Sequence, residues 1–158
     1  MTTVVFPGQG SQTVGMAKDF NDNFKIARSI FEEIEDYTKI NLRKIIFENP
    51  DNQLNLTQFT QICIFAASCA IYKTFSIEKN INQEDINVMM GHSLGEYTAL
   101  ACSDKISLKD CSLILKQRGE LMNAAVTPNA TGMAALIGLT ADSVQKIIDS
   151  VKSSLYVS

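Results

Sequence analysis

Residues 91–95 read Gly-His-Ser-Leu-Gly, a Gly-x-Ser-x-Gly pentapeptide whose Ser93 is a candidate nucleophile. A serine attacks an acyl carbonyl once a base takes its proton, and the resulting acyl-serine divides one difficult transfer into two easier ones. The chemistry calls for flanking glycines where a strand turns sharply into a helix, because side chains there would collide with neighbouring backbone. The bend lifts the hydroxyl to the C-terminal edge of a sheet. The helix starting there directs free N–H groups and the positive end of its dipole at developing negative charge. A plainer reading exists: Ser93-x-x-Glu96 has capping-box spacing, in which the hydroxyl only caps the helix. A cap needs neither glycine nor a strand directly before it, so the nucleophile reading is preferred. His92 is the one histidine in the chain and a poor base for its neighbour. Adjacent residues at a tight bend point apart, whereas a general base needs hydrogen-bond reach and a third group to orient it. His92 is read as lining the substrate pocket.

A second candidate lies in the amphipathic segment 107–125. Its apolar stripe is Cys111, Ile114, Leu115, Leu121, Met122 and Ala125, with Lys109, Asp110, Lys116, Gln117 and Glu120 on the other face. Arg118 falls on the stripe. A guanidinium turned inward requires a carboxylate. That carboxylate is either an Asp or Glu of the protein, the usual arrangement, or an acidic group on a substrate, which the forked donors fit. The turn Phe6-Pro7-Gly8-Gln9-Gly10 lacks both phosphate-loop templates, since position 13 is Thr and no Gly-Lys-Ser/Thr follows. It is either an ordinary tight turn or one that leaves the Gln9 N–H accessible as an oxyanion donor. Gln61, polar within an apolar segment, is a satisfied core amide or a ligand contact.

The elements that must carry these residues follow from periodicity. Residues 3–6 form a β-branched strand that runs into the first turn. Phe24, Ala27, Ile30, Phe31, Ile34 and Tyr37 recur at helical steps, which predicts a helix over 22–37. Residues 57–76 form a helix apolar on most sides and therefore central. Residues 87–90 form a short buried strand feeding the glycine bend, with a helix to about Cys102. Ser107-x-x-Asp110 opens the 107–125 helix. A strand over 133–137, a helix from the N-cap Thr140 to Lys152 and a strand beginning at Leu155 complete the pattern. Such alternation predicts an α/β fold with a largely parallel sheet.

The chain has 158 residues, 46% hydrophobic and 20% charged, with a formal charge of −3. A pI near 5.1 argues against a nucleic-acid partner. The N-terminus lacks the basic start and long apolar core of a secretory signal, and no window nears 18 uninterrupted apolar residues, so no membrane span is expected. Cys63, Cys69, Cys102 and Cys111 show no C-x-x-C pairing. With one histidine to assist them no metal site is expected, and they read as reduced, buried thiols of a cytoplasmic protein.

Five stretches occur in order: FPGQGSQTVGM at 6–16, TQ at 60–61, GHSLGEYTALA at 91–101, QRGELM at 117–122 and GMAALIGL at 132–139. Together they resemble the malonyl-CoA:acyl carrier protein transacylase family. The resemblance implies an α/β-hydrolase-like parallel-sheet core with an inserted ferredoxin-like subdomain. It implies ping-pong transfer in fatty acid biosynthesis: Ser93 takes malonyl from coenzyme A and passes it to the phosphopantetheine thiol of acyl carrier protein. On this likeness Gln9 and Leu94 supply oxyanion-hole amides, Arg118 grips the malonyl carboxylate, and Gln61 lines the same pocket. Leu94 also matches malonyl-selective relatives. No tightly bound cofactor or metal is implied; malonyl-CoA and phosphopantetheine are substrates, and the full-length protein is expected to be a monomer. Ile62 and Cys63 depart from the family's usual Pro-Ala after Thr60-Gln61. Family members are roughly twice as long. Residues 1–126 are therefore expected to be the first part of the core and 127–158 the truncated start of the subdomain. The catalytic histidine is expected beyond Ser158, leaving this chain inactive alone. Two other classes stay open: a truncated, non-catalytic binder of coenzyme A or carrier protein, and a serine hydrolase, against which the charge on Arg118 counts.

Overall fold

A computed structural model describes residues 2–125 and 136–151. The chain divides into two compact units, Met1–Ala125 and Val126–Ser158. The first unit runs β1 (Thr3–Phe6), α1 (Lys18–Asn23), α2 (Lys25–Thr38), α3 (Leu42–Glu48), a 3-10 turn (Pro50–Asn55) and α4 (Thr57–Glu78). A second 3-10 turn (Gln83–Asp85), β2 (Val88–Gly91), α5 (Leu94–Cys102) and α6 (Leu108–Ala124) follow. The two strands pair in parallel, Val4 opposite Met89 and Phe6 opposite Gly91. A parallel pair cannot be closed by a hairpin, and here α1 to α4 form the crossover. The class is α/β with a small parallel sheet, as the alternation predicts.

The core is organised around α4. Ile62, Cys63, Phe65, Ala66 and Ala70 are wholly buried, because α2, α5 and α6 all pack on this helix. The Phe6 ring from β1 meets Tyr72 edge-on, with centroids 5.7 Å apart. Burying each large apolar side chain contributes about 1.5–3 kcal/mol, which is why a helix apolar on most sides is stable only here. Over 18 residues α4 has a mean hydropathy of 1.2, long and apolar enough to cross a membrane, yet 67% of that window is buried inside the fold. Run length alone had not singled it out; its composition is that of a central core helix.

α2 begins at Lys25, later than its periodicity predicts, because Phe24 is extended and separates it from the short α1. Ala27, Ile30, Phe31, Ile34 and Thr38 form its buried face. Asn41 caps α3, its side chain accepting the Lys44 N–H at 3.0 Å. Arg43 ties α3 to α2 through two bonds to Glu35 Oε2, at 2.7 and 3.0 Å. Ser107 caps α6 by accepting the Asp110 N–H at 3.0 Å, as its spacing predicts.

The stripe on α6 needs correction. Cys111, Ser112, Leu115 and Gly119 are the buried residues of this helix, whereas Leu121 is 62% exposed and Ile114 and Met122 are each 40% exposed. The buried face is centred on the 111–115–119 row, which faces α4. Arg118 lies on its flank, half-buried rather than mid-stripe. In the second unit Thr140 caps α7 (Ala141–Ser150) by accepting the Ser143 N–H at 3.3 Å. Of the strand expected over 133–137 only Leu136 and Ile137 are described, and neither is in a strand. The strand expected from Leu155 lies outside the described residues.

Candidate active site

Ser93 stands between β2 and α5 with φ 55° and ψ −111°, a backbone conformation that costs on the order of 1–3 kcal/mol in a non-glycine residue. Two glycines make the bend sterically feasible. A Cβ on Gly91 would lie 2.0 Å from the Gly95 carbonyl carbon, and one on Gly95 would lie 2.5 Å from the Phe6 oxygen. β1, the bend and the start of α5 therefore meet backbone to backbone. The Ser93 side chain makes no cap bond to its own helix, so the capping-box alternative is not realised.

Its hydroxyl is bonded across the fold instead. Arg118 Nη2 donates to Ser93 Oγ at 3.0 Å, and Arg118 Nη1 donates to Gln61 Oε1. The guanidinium carbon also sits 5.8 Å from the Tyr97 ring centroid, a cation–π distance. Among the described residues the ion pairs are Lys18–Asp22, Arg43 with Glu32 and Glu35, and Lys73–Asp104. None includes Arg118. Of the two partners open to this arginine on sequence grounds, an Asp or Glu of the described chain is not the one found. A half-buried cation with neutral partners keeps its electrostatic demand for an anion.

Gln61 is wholly buried in α4. Its Oε1 faces the arginine and its Nε2 donates to Met122 Sδ at 3.0 Å. Gln61 of α4, Arg118 of α6 and Ser93 of the bend before α5 are thus drawn together. His92 is exposed, its ring lying over Gly8 so that a Cβ there would fall 2.3 Å from Nδ1. Among the described residues it makes no hydrogen bond to Ser93, and Arg118 is the partner of Oγ. The Gln9 side chain reaches Thr57 Oγ1 at 3.4 Å. Neither the Gln9 nor the Leu94 backbone N–H has a partner among the described residues, and Leu94 is the first residue of α5. Its side chain is buried in the core. An open amide at a helix start, as at Leu94, suits an anion, and the Gln9 amide of the β1 turn is open likewise.

Sequence reasoning missed two members of the cluster. Tyr97 follows Ser93 by four residues and Met122 follows Arg118 by four, so each shares a helical face with a candidate and the i+4 rule could have found both. Gly119, beside Arg118, lets α6 approach α4: a Cβ there would lie 3.0 Å from the Thr57 oxygen. Of the cysteines, Cys111 touches this cluster through its Sγ, which donates to the Tyr97 carbonyl at 3.5 Å. All four are buried and unbridged, and burial pushes the Cys63 thiol up to about 12. Among the described residues no group of three or more His, Cys, Asp or Glu is placed to hold a metal ion.

The geometry can be set beside known proteins. The chain is 35% identical over 147 residues to the malonyl CoA-acyl carrier protein transacylase of Bacillus subtilis strain 168, covering 93% of this chain and 45% of the relative. It superposes on the crystal structure of the acyl-carrier-protein-S-malonyltransferase from Bartonella henselae with a TM-score of 0.81 at 38% identity, covering 94% and 48%. A third likeness is to a malonyl-transacylase solved in complex with its type II polyketide synthase acyl-carrier protein (TM-score 0.73, 38% identity, covering 80% and 40%). The chain thus spans less than half the length of these relatives. The sequence profile of the acyl transferase domain matches residues 3–158. With a strained serine between two obligatory glycines, and likeness along nearly all its length, the chain belongs to the acyl transferase domain family.

Proposed function

We propose that this chain carries the nucleophile and the acid-binding arm of a malonyl-CoA:acyl carrier protein transacylase of fatty acid biosynthesis. The single observation behind the reading is the arginine that bonds Ser93 Oγ at 3.0 Å and has no carboxylate partner among the described residues. One methylene separates the free carboxylate of a malonyl thioester from its reacting carbonyl. A carboxylate taken by the Arg118 fork therefore brings that carbonyl to the neighbouring hydroxyl, and positioning of this kind lowers the barrier by prepaid entropy. Ser93 Oγ attacks, the Gln9 and Leu94 amides receive the oxyanion, and coenzyme A leaves as its thiol. The phosphopantetheine thiol of acyl carrier protein then takes malonyl from Ser93. A solved relative bound to its carrier protein supports that partner. His92 lines the pocket entrance, and the proton acceptor comes from the part of the family's length this chain does not span.

In this reading residues 1–126 are the opening part of an α/β-hydrolase-like core, and 127–158 begin a ferredoxin-like subdomain. The protein is cytoplasmic, monomeric at family length and works without a bound cofactor or metal. A general esterase is disfavoured, because an apolar acyl chain would leave the Arg118 charge without a counterion. The test is intact-mass spectrometry after exposure to malonyl-CoA, on the chain alone and fused to the remaining half of a transacylase such as the Bacillus subtilis enzyme. The fusion should gain one malonyl group on Ser93, and the chain alone none. Arg118→Ala in the fusion should lower malonyl loading about 100-fold, the order of 3 kcal/mol lost with a hydrogen-bonded charge pair, and leave acetyl loading nearly unchanged. Equal losses for both acyl groups would refute the clamp.

A further inference from the structure

We infer that the thioether of Met122 is a positioning element that locks the Gln61 amide and, through it, the orientation of Arg118; this rests on the malonyl-clamp reading above. A primary amide has two ends of nearly equal size and opposite hydrogen-bonding sense. A guanidinium offers only donors, so Gln61 must present Oε1 to Arg118, as it does. The flipped amide would set N–H against N–H. The other end of the amide decides which orientation holds, and among the described residues its one partner is Met122 Sδ, at 3.0 Å from Nε2. A thioether sulfur accepts and never donates, so it selects the NH2 end and rejects the oxygen. Gln61 is wholly buried, so bulk solvent does not reach that N–H.

Two facts argue against Met122 as mere filling. Its side chain is 40% exposed, and the buried face of α6 consists of Cys111, Ser112, Leu115 and Gly119 instead. It also lies one turn beyond Arg118 on the same helix. One face of α6 thus supplies both the cation and the sulfur that holds the cation's amide partner. With Gln61 fixed on Nη1, the guanidinium plane is set so that Nη2 meets Ser93. A carboxylate then meets a fork already oriented, and little ordering cost remains.

The variant that separates sulfur chemistry from shape is Met122→Leu, which keeps size and apolarity and removes the acceptor. In the 15N-labelled 158-residue chain, the paired Gln61 side-chain N–H signals should shift and broaden in Met122→Leu while backbone amide signals away from the site stay in place. Malonyl-CoA affinity should fall about tenfold, the size of the penalty for a buried donor left without a partner, and acetyl-CoA affinity should not change. In a Gln61→Leu background the same substitution should have no further effect, the signature of a coupled pair. Unchanged Gln61 signals in Met122→Leu would overturn the inference. So would a loss shared equally by acetyl-CoA, or full additivity with Gln61→Leu. Wild-type protein that binds the two thioesters equally would instead defeat the clamp reading, and the amide signals would still decide whether the sulfur orients Gln61.

Discussion

Replacing Gly95 by alanine should destabilise this fold, although the same change in most helices stabilises. Gly95 is the second residue of α5, and on an exposed helix alanine gains about 1 kcal/mol over glycine. Here the added methyl would stand 2.5 Å from the Phe6 carbonyl oxygen and 2.8 Å from that of Pro7. Both obstacles are backbone atoms of the β1 turn and cannot rotate aside. Reaching even 3.0 Å from Phe6 requires a shift of at least 0.5 Å (3.0 − 2.5). Overpacking of this kind costs about 1–3 kcal/mol, and rigid backbone places it at the upper end. After the propensity gain is subtracted, a net loss of about 2 kcal/mol remains, or roughly 4–8 °C in melting temperature for a chain of this size. The assay is thermal and urea unfolding followed by circular dichroism, with Ser29→Ala on the exposed face of α2 as a control that should be neutral or slightly stabilising. A Gly95→Ala protein that melts at or above wild type would show that β1 and α5 separate freely. The backbone-contact account of the bend would then be wrong.

Glu35→Ala should cost about 1.5–3 kcal/mol, the range for bonds to a charged group, because Glu35 accepts from the Arg43 guanidinium and from its backbone N–H at 2.8 Å; a urea midpoint within error of wild type would refute this. The buried Cys63 thiol, raised from 9.0 to about 12, stabilises the fold fully below pH 9 and loses that contribution as pH rises toward 12. Between those limits stability should fall about 1.4 kcal/mol per pH unit on its account, and Cys63→Ala should show a shallower slope from pH 9 to 11; equal slopes would exclude the buried thiol as the cause.

Much of the architecture was legible because it is local. The helical steps of Ala27, Ile30, Phe31 and Ile34, the largely apolar run of α4 and the cap residues Ser107 and Thr140 each mark an element without reference to the rest of the chain. α1 and α3 escaped because helices of six and seven residues complete fewer than two turns and show no clear periodicity. The buried face of α6 is narrower than its apolar residues suggest. An apolar residue is compatible with burial but does not require it, and Leu121 remains exposed.

Residue order alone was enough to set a serine at a glycine bend between a strand and a helix. The pattern is legible because both glycines lie two residues from the serine, although the Gly95 methyl is excluded by the Phe6 and Pro7 carbonyls of β1, a contact that only the fold makes. The same reading set Arg118 on the apolar stripe of α6, whereas the helix carries it on the flank of its buried face. What that arginine touches is a matter of long-range packing. Gln61 and Ser93 lie 57 and 25 residues from it in the chain, and only the packing of α4, α5 and α6 brings the three together. The choice between an internal salt bridge and a cation with neutral partners rests on which side chains share one small volume. Residue spacing along a single helix carries no record of that.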